Sequence, residues 1–297
     1  MDHQGQLRRA ALASGIPDDE VSRFIQHLRL SIRLSGGSSG GPVGQFGGLP
    51  RLPVGIDWPS DGIGPLPFIF SVDCAALPRV DGFGLPADGT LVFFLNHRQA
   101  AATGEQRYGR VVYVPVGTDT EVAAGPADHA SVDKQYDVVA TLRAEFPDWL
   151  DEDDEDDEEH EDEDDLSSFQ QQLARDLKRD LPHLDELRTL AKGLWPSDNG
   201  YASACIGGYV DHEVIKSFAE QTLAWREKTG EMVIPVAKWY SHVEAETHRL
   251  TSEWVSLARF PVENEHYYRS DGSFVIRHDD LVAGRLDKAL SAAELIP

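Results

Sequence analysis

The sequence predicts an α+β fold, built mostly from antiparallel sheets in two related halves with flanking helices. Short apolar stretches that alternate with period two, as half-buried strands do, are bounded by Gly, Pro and Asp. A stripe of leucines at helical spacing follows an acidic run at residues 151–165. The two ends of the chain also share one order of elements: a Gly-Gly pair, a strand, an Asp-Gly turn and a second strand.

Each predicted element rests on local pattern. A helix over residues 18–26 begins after Pro17 with acidic residues, which favour helix N-termini. A longer helical stripe runs from Leu166 to Leu194, and Pro182 breaks it because proline lacks the amide donor that a helix interior needs. Alternation predicts a strand at 28–34, and apolar stretches predict strands at 68–72, 91–95, 111–116, 254–260 and 273–277. Helices are predicted at 214–226, 236–247 and 279–290.

The predicted organisation has four parts: a helical segment at 1–27, a first half at 28–150, a disordered acidic insert at 151–165, and a helical segment with the second half at 166–297. The two halves correspond through Gly47-Gly48 and Gly207-Gly208, and through Asp88-Gly89 and Asp271-Gly272. Internal duplication explains this order. Coincidence stays open as well, because Asp-Gly turns commonly precede strands.

Charge limits the classes of partner. The net charge is −24, and leaving out the fourteen carboxylates of residues 151–165 still leaves −10. A protein with this charge repels nucleic acid and anionic membranes, because it offers no cationic surface to displace their counterions. We therefore expect no nucleic-acid and no membrane partner, and a basic protein as the partner that electrostatics would attract.

The acidic run itself has three interpretations. Most simply it is a solvated linker whose like charges repel one another. It could instead mimic a polyanion toward a basic partner, or buffer divalent cations weakly. The first interpretation needs no binding loop and is the one that the composition favours.

Cysteine content and hydropathy indicate a cytoplasmic protein. Cys74 and Cys205 are too few for a disulfide framework, and neither lies in a CxxC motif. No apolar run reaches the roughly 18 residues of a membrane span, and the N-terminus lacks the apolar core of a signal peptide.

Residues 46–59 form the most specific segment of the chain. They combine several glycines and prolines with two large apolar anchors, Phe46 and Trp58. Proline fixes φ and lacks a donor, so the segment is neither a helix nor a central strand. It is predicted to be a rigid loop anchored in the core by its aromatic residues.

This loop and several later motifs resemble the YwqG-like family, the bacterial domain of unknown function 1963. The resemblance spans about residues 28–290 and rests on these positions: Gly47, Gly48, Pro50, Leu52, Pro53, Trp58, Pro59, Pro65, Leu66, Phe68, Ile69, Val72, Asp73, Gly89, Leu91, Phe93, Phe94, Gly207, Gly208, Tyr209, Trp254, Leu257, Gly272, Asp280 and Leu281. It implies an α+β fold with antiparallel sheets in two related halves, and it implies no known reaction. The family pattern has glutamine where Ser71 and Arg259 stand here, and proline where Val210 stands.

Motifs for catalysis or cofactors are weak. The glycine-rich loop at 36–48 contains no lysine and no GxGxxG, so it does not predict a phosphate site. No GxSxG elbow is present. We therefore assign no catalytic residue, no cofactor and no metal ligand.

Two polar clusters still merit structural attention. His242, Glu244, Glu246 and His248 are metal-type ligands, but on a helix they divide between nearly opposite faces, which favours a surface helix over a metal site. The triplet Asp211-His212-Glu213 could be catalytic, yet Asp211 at a helix start is more typical of an N-cap.

Two functions remain open. The first is a non-catalytic module that binds another protein, for example a basic protein such as a toxin. The second is an enzyme or small-ligand receptor with Asp57, Asp73 and Arg259 near a pocket where the two halves meet. The candidate binding residues are Gly47, Gly48, Trp58, Asp73, Tyr209 and Arg259.

Overall fold

The computed structural model describes residues 2–37, 40–125, 134–150, 168–196, 202–262 and 270–295, so the acidic insert lies outside the described residues. The chain divides into two compact units. The smaller comprises Met1–Ser31, Arg79–Asp81 and Leu142–Asn199, and the larger comprises Ile32–Pro78, Gly82–Thr141 and Gly200–Pro297. None of the helices in these described ranges is long and apolar enough to cross a bilayer.

The helices are α1 (His3–Ala13), α2 (Asp18–Phe24), α3 (His97–Thr103), α4 (Ser168–Asp180), α5 (Leu184–Leu194), α6 (His212–Lys228), α7 (Trp239–Glu253) and α8 (His278–Val282). The strands are β1 (Arg29–Gly36), β2 (Gly44–Phe46), β3 (Arg51–Pro53), β4 (Phe68–Asp73), β5 (Thr90–Leu95), β6 (Gly109–Val114), β7 (Thr120–Val122), β8 (Tyr136–Glu145), β9 (Ala204–Gly207), β10 (Trp254–Val262), β11 (Ser270–Arg277) and β12 (Leu290–Leu295).

The smaller unit is built around helices α1, α2, α4 and α5. The predicted leucine stripe supplies its core: Leu184 and Leu187 are buried together with Leu7 and Phe24. The stripe breaks between α4 and α5, where Pro182 was predicted to interrupt it. The buried carboxylate of Glu20 is satisfied by His183, whose Nδ1 lies 3.1 Å from both of its oxygens.

A ten-stranded sheet dominates the larger unit, and the unit boundaries fall within β1 and β8. Its strand order is β12-β11-β10-β9-β1-β8-β2-β4-β5-β6. The pairings of β2 with β4 and β8, of β5 with β4 and β6, and of β10 with β9 and β11 are antiparallel, as is that of β11 with β12. The predicted antiparallel α+β architecture is confirmed to that extent.

The strand order is symmetric about its centre. Outward from β1 and β8, one side continues β9-β10-β11-β12 and the other continues β2-β4-β5-β6, each in chain order. Each of these four-stranded groups opens on a short strand followed by a left-handed glycine pair. The φ angles are +63° and +71° at Gly47 and Gly48, and +81° and +83° at Gly207 and Gly208.

Aromatic rings pack the two four-stranded groups against each other. The rings of Phe70 and Phe93 stack with centroids 4.4 Å apart on one group. Phe260 lies 5.7 Å from Phe70, and Phe274 lies 5.5 Å from Phe93, both from the other group. All four side chains are buried, so the sheet curls around an aromatic core.

The curl brings the two outermost strands together. A Cβ placed on Gly109 of β6 would lie 2.3 Å from the Cβ of Ser291 on β12. The amide of Ser291 also donates a hydrogen bond of 2.7 Å to Oε1 of Gln106, just before β6. Glycine at 109 is therefore required by close approach of the backbones.

Different elements cover the outer faces of the two groups. Helix α6 and the end of α7 pack on β10 and β11 through Val214, Phe218, Leu250, Trp254 and Val275. On the other group, β4, β5 and β6 are covered by residues 50–66 and by a two-stranded ribbon of β3 and β7.

The structure corrects three predictions at strand and helix ends. The helix predicted at 279–290 is only the short α8, because Gly284 at φ +68° ends it and Leu290 begins strand β12. The turn predicted at Asp271-Gly272 lies inside β11, opposite Pro261 and Phe260. The strand predicted at 111–116 ends at Val114, where a turn begins.

Gly109→Ala tests the closure of the sheet. The added methyl group must displace Ser291, and overpacking of this kind costs roughly 1–3 kcal/mol of unfolding free energy. Urea denaturation measures it, with Gly41→Ala as the control because nothing lies within 4 Å of a Cβ there. Equal stability of the two variants would show that β6 and β12 are not in contact.

Candidate functional site

The loop after β2 is held by its own backbone. The amide of Gly47 donates to the carbonyl of Ile69 at 2.8 Å, and Nε2 of Gln45 donates to the carbonyls of Gly47 and Leu49 at 3.1 Å. A Cβ on Gly48 would lie 2.6 Å from the side-chain oxygen of Gln135. The glycine pair therefore shapes the chain at this point.

Trp58 anchors the same loop. Its indole Nε1 donates to the carbonyl of Leu66 at 2.8 Å, and its ring meets that of Phe94 edge-on with centroids 5.6 Å apart. The side chain is half-buried on the cluster that covers β4 to β6. These contacts fit the predicted anchoring of the loop.

A tight turn follows Trp58 and fixes a carboxylate. Oδ1 of Asp61 accepts hydrogen bonds of 2.8 Å from the amides of Gly64 and Ile63. These two donors, with a smaller contribution from the charge of Arg107, lower the pKa of Asp61 below its ordinary value. Asp61 therefore stays negatively charged at neutral pH.

Two turns of the same sequence pattern lie side by side, and the first of them is part of this loop. Residues 53–57 read Pro-Val-Gly-Ile-Asp, and residues 115–119 read Pro-Val-Gly-Thr-Asp. In each, the proline carbonyl accepts a hydrogen bond from the residue three positions later. The third residue of each turn is a glycine with φ near +80°, which is what a type II turn requires.

The β3–β7 ribbon places these turns together. The amide of Val54 donates to the carbonyl of Asp119 at 3.0 Å, and Leu52 pairs with Glu121. We call the surface formed by residues 53–57 and 115–119 the twin-turn face.

The twin-turn face exposes aliphatic side chains beside carboxylates. Val54 is 60%, Ile56 57% and Val116 71% exposed, although large aliphatic residues are usually buried. The two aspartates that close the turns, Asp57 and Asp119, are exposed as well. The face therefore combines apolar contact area with negative charge.

The remaining predicted site residues lie in other parts of the larger unit. Asp73 ends β4, is exposed, and accepts a hydrogen bond of 2.9 Å from the amide of Ala75. Tyr209 is half-buried between the second glycine pair and α6. Arg259 lies on β10, where it faces Cys205 and its Nη1 is 4.0 Å from Oδ2 of Asp211.

The Asp211 triplet begins a helix. Oδ1 of Asp211 accepts a hydrogen bond of 3.0 Å from the amide of Glu213, which confirms Asp211 as the N-cap of α6. Glu213 pairs instead with Lys216 at 3.2 Å, one turn along the helix. The three side chains therefore do not form a shared catalytic arrangement.

Of the acidic and histidine cluster on α7, Glu246 belongs to an ion-pair network. Buried Glu246 accepts hydrogen bonds of 3.0 and 2.7 Å from Arg249 and lies 3.4 Å from Arg226. Arg249 also binds Glu253. The hydrogen bond from Arg249 is the main cause that lowers the pKa of Glu246. Within the described ranges, no group of three or more histidine, cysteine or carboxylate side chains could hold a metal ion.

The sequence predicted a loop that contains the first of the two turns, but it did not predict the second turn. Residues 53–57 lie in the loop that the glycine and proline pattern identified, whereas residues 115–117 were partly assigned to a strand. The signal that could have found the pair was the repeated Pro-Val-Gly-x-Asp pattern. That the two turns are adjacent, however, depends on ribbon pairing between segments about seventy residues apart.

Substitution of Trp58 tests its anchoring role. Trp58→Ala should lower the unfolding free energy by about 3 kcal/mol, since large aromatic truncations in packed sites cost this much. Trp58→Phe keeps a ring against Phe94 but leaves the Leu66 carbonyl without its donor, so it should cost only about 1 kcal/mol. Unchanged stability of the alanine variant in urea would show that the loop does not depend on Trp58.

Glu246 should make stability depend on pH. Its pKa is lowered in the folded state, so its contribution is complete above the ordinary value of 4.5 and is lost as pH falls through the folded pKa. Glu246→Gln should therefore cost about 1–3 kcal/mol at pH 7 and progressively less in acid. Exposed Glu244→Gln is the control, with an effect near zero. Equal denaturation curves for the two variants at pH 7 would contradict the network.

Comparison with known proteins gives one family. The model of the domain of unknown function DUF1963 matches residues 44–293, which include β2 to β11, most of β12 and the twin-turn face. No curated protein matches the chain. Because the match covers most of the chain, this protein belongs to the DUF1963 family.

Proposed function

We propose that this protein is a non-catalytic binding module that engages a basic protein, for example a toxin, through the twin-turn face. The observation that carries the proposal is the exposure of Val54, Ile56 and Val116 next to Asp57 and Asp119. Exposed apolar groups bordered by charge are typical of protein interaction surfaces.

Electrostatics supports a positive charge on the partner. The chain outside the acidic insert carries −10, and the carboxylate of Asp61, four residues beyond Asp57 in the chain, stays ionised. A field of this sign accelerates encounter with a cationic protein and weakens as salt screens it over a Debye length of about 8 Å.

The local roles of the polar clusters support binding over catalysis. Asp211 caps α6, and Glu246 pairs with Arg249 and Arg226. These side chains are used in holding helices. The tips of the exposed turns are open, because a Cβ on Gly55 or Gly117 would meet nothing within 4 Å.

We also infer that the two four-stranded groups derive from one ancestral half. We further infer that the protein is a bacterial, cytoplasmic member of the YwqG-like family. The mirrored strand order and the left-handed glycine pairs support this inference. Superposing β2, β4, β5 and β6 on β9 to β12 in an experimental structure tests it. One rotation should place Gly47 on Gly207, Ser71 on Arg259 and Phe93 on Phe274, because these residues have the same register in their groups. Separate rotations for each strand would contradict a duplication.

The binding proposal is tested by affinity capture from the source cell's lysate with the double variant Val54→Ser, Val116→Ser. Removing two exposed aliphatic contacts should lower the affinity for the partner by at least about tenfold, since each valine buried in the complex contributes about 1.5–3 kcal/mol. Mass spectrometry identifies captured proteins, and cross-linking maps their contact. We expect a basic protein that is lost at high salt and cross-links to residues 53–57 or 115–119.

The matched control is Val233→Ser, Val236→Ser, which changes two valines of 86% and 91% exposure between α6 and α7. It should retain the partner. Equal loss with both variants, or no basic partner at all, would contradict the proposal. Thermal stabilisation by one small molecule without any protein partner would favour the alternative, a small-ligand receptor or enzyme.

A further inference from the structure

We propose that the partner contributes an extended segment, which adds a third strand to the ribbon along β7. In this segment of the partner, cationic residues alternate with β-branched residues. This inference rests on the proposed binding function and specifies how the partner binds. It starts from the hydrogen-bonding pattern of β3 and β7.

The ladder between β3 and β7 leaves one edge of β7 unpaired. The amide of Val54 binds the carbonyl of Asp119, and the amide of Ala123 binds the carbonyl of Pro50. Residues 119, 121 and 123 therefore face β3, and by the alternation of an antiparallel ladder Thr120 and Val122 direct their amides away from it. Among the described residues this sheet has two strands only, so no described strand pairs with that edge, although the guanidinium of Arg51 donates to its Thr120 carbonyl.

The opposite edge of the ribbon is less suitable. On β3 the outward-facing residues are Arg51 and Pro53, and proline offers no amide donor. On β7 both outward residues have amides, and the side chain of Val122 is exposed. An added strand therefore finds two donors on β7, against one on β3.

The side chains along β7 determine the chemistry of the added strand. Residues directly opposite in neighbouring strands interact, so a β-branched residue suits Val122 and a cation suits exposed Glu121 on the other face. The guanidinium of Arg51 donates to Oγ1 and to the carbonyl of Thr120 at 3.2 and 2.7 Å. An added strand must therefore displace Arg51 from this carbonyl or pair through the amides of Thr120 and Val122 and the carbonyl of Val122.

The same charges disfavour two other occupants. A second copy of this chain paired along β7 would bring Glu121 and Asp119 near their own equivalents, and like charges across a ladder destabilise it. The acidic insert of this chain is repelled for the same reason. A basic segment is therefore the occupant that the edge selects.

The probe is a fluorescent eight-residue peptide of alternating valine and lysine, acetylated and amidated, titrated with the full chain and followed by anisotropy. Its comparison peptide has the same sequence with every second residue N-methylated, which keeps charge and side chains but removes the amides of one edge. We expect the methylated peptide to bind at least about tenfold more weakly. The amide of Val122 should also exchange with deuterium more slowly in the complex.

Glu121→Lys separates local pairing from overall charge. Its control is Glu231→Lys, which alters the net charge equally at another exposed glutamate. Only Glu121→Lys should reduce the affinity by about tenfold or more, and it should bind a valine–glutamate peptide better than the parent does. Circular dichroism verifies folding of both variants.

Equal binding of the two peptides, equal effects of the two variants, or no peptide binding at all would overturn strand addition. If capture still depends on Val54 and Val116 while N-methylation has no effect, the proposed function stands and only strand addition fails. If neither dependence is observed, both fail.

Discussion

The aromatic contact between the two four-stranded groups determines the architecture of the larger unit. Phe70 and Phe93 meet Phe260 and Phe274 across the interior, and this contact curls the ten-stranded sheet until β6 lies against β12. The curl commits one face of every outer strand to the core. The opposite faces then need their own cover, which α6 and α7 supply on one group, and the loop and ribbon supply on the other.

This arrangement explains why the candidate site is on the ribbon. The ribbon of β3 and β7 is a cover outside the main sheet, and its turns project beyond the cluster that it protects. Trp58 and buried Leu52 hold the cover on β4 to β6, so Val54 and Val116 can be exposed without loosening the core. Each turn is closed by a hydrogen bond to its proline carbonyl, so under the proposed function little conformational entropy would be lost on binding.

Local pattern predicted β4 and β5, which are short apolar runs buried along almost their whole length. It also predicted α5, whose buried residues recur at helical spacing. Local pattern failed at β12, because the sequence there suits a helix whereas pairing with β11 makes it a strand. The loop with Trp58 was predicted, whereas the twin-turn face was not, since a ribbon hydrogen bond between Val54 and Asp119 creates it. Pairing between distant segments has no local sequence signature.

The central structural claim is that the two groups hold each other through their rings, and a double-mutant cycle on Phe70→Leu and Phe260→Leu measures it most directly. Their centroids lie 5.7 Å apart at an interplanar angle of 71°, a favourable edge-to-face geometry. The account predicts that the two losses of unfolding free energy are not additive, with a coupling of about 1 kcal/mol. Additivity within about 0.3 kcal/mol would mean that the groups fold without this contact and would contradict the account.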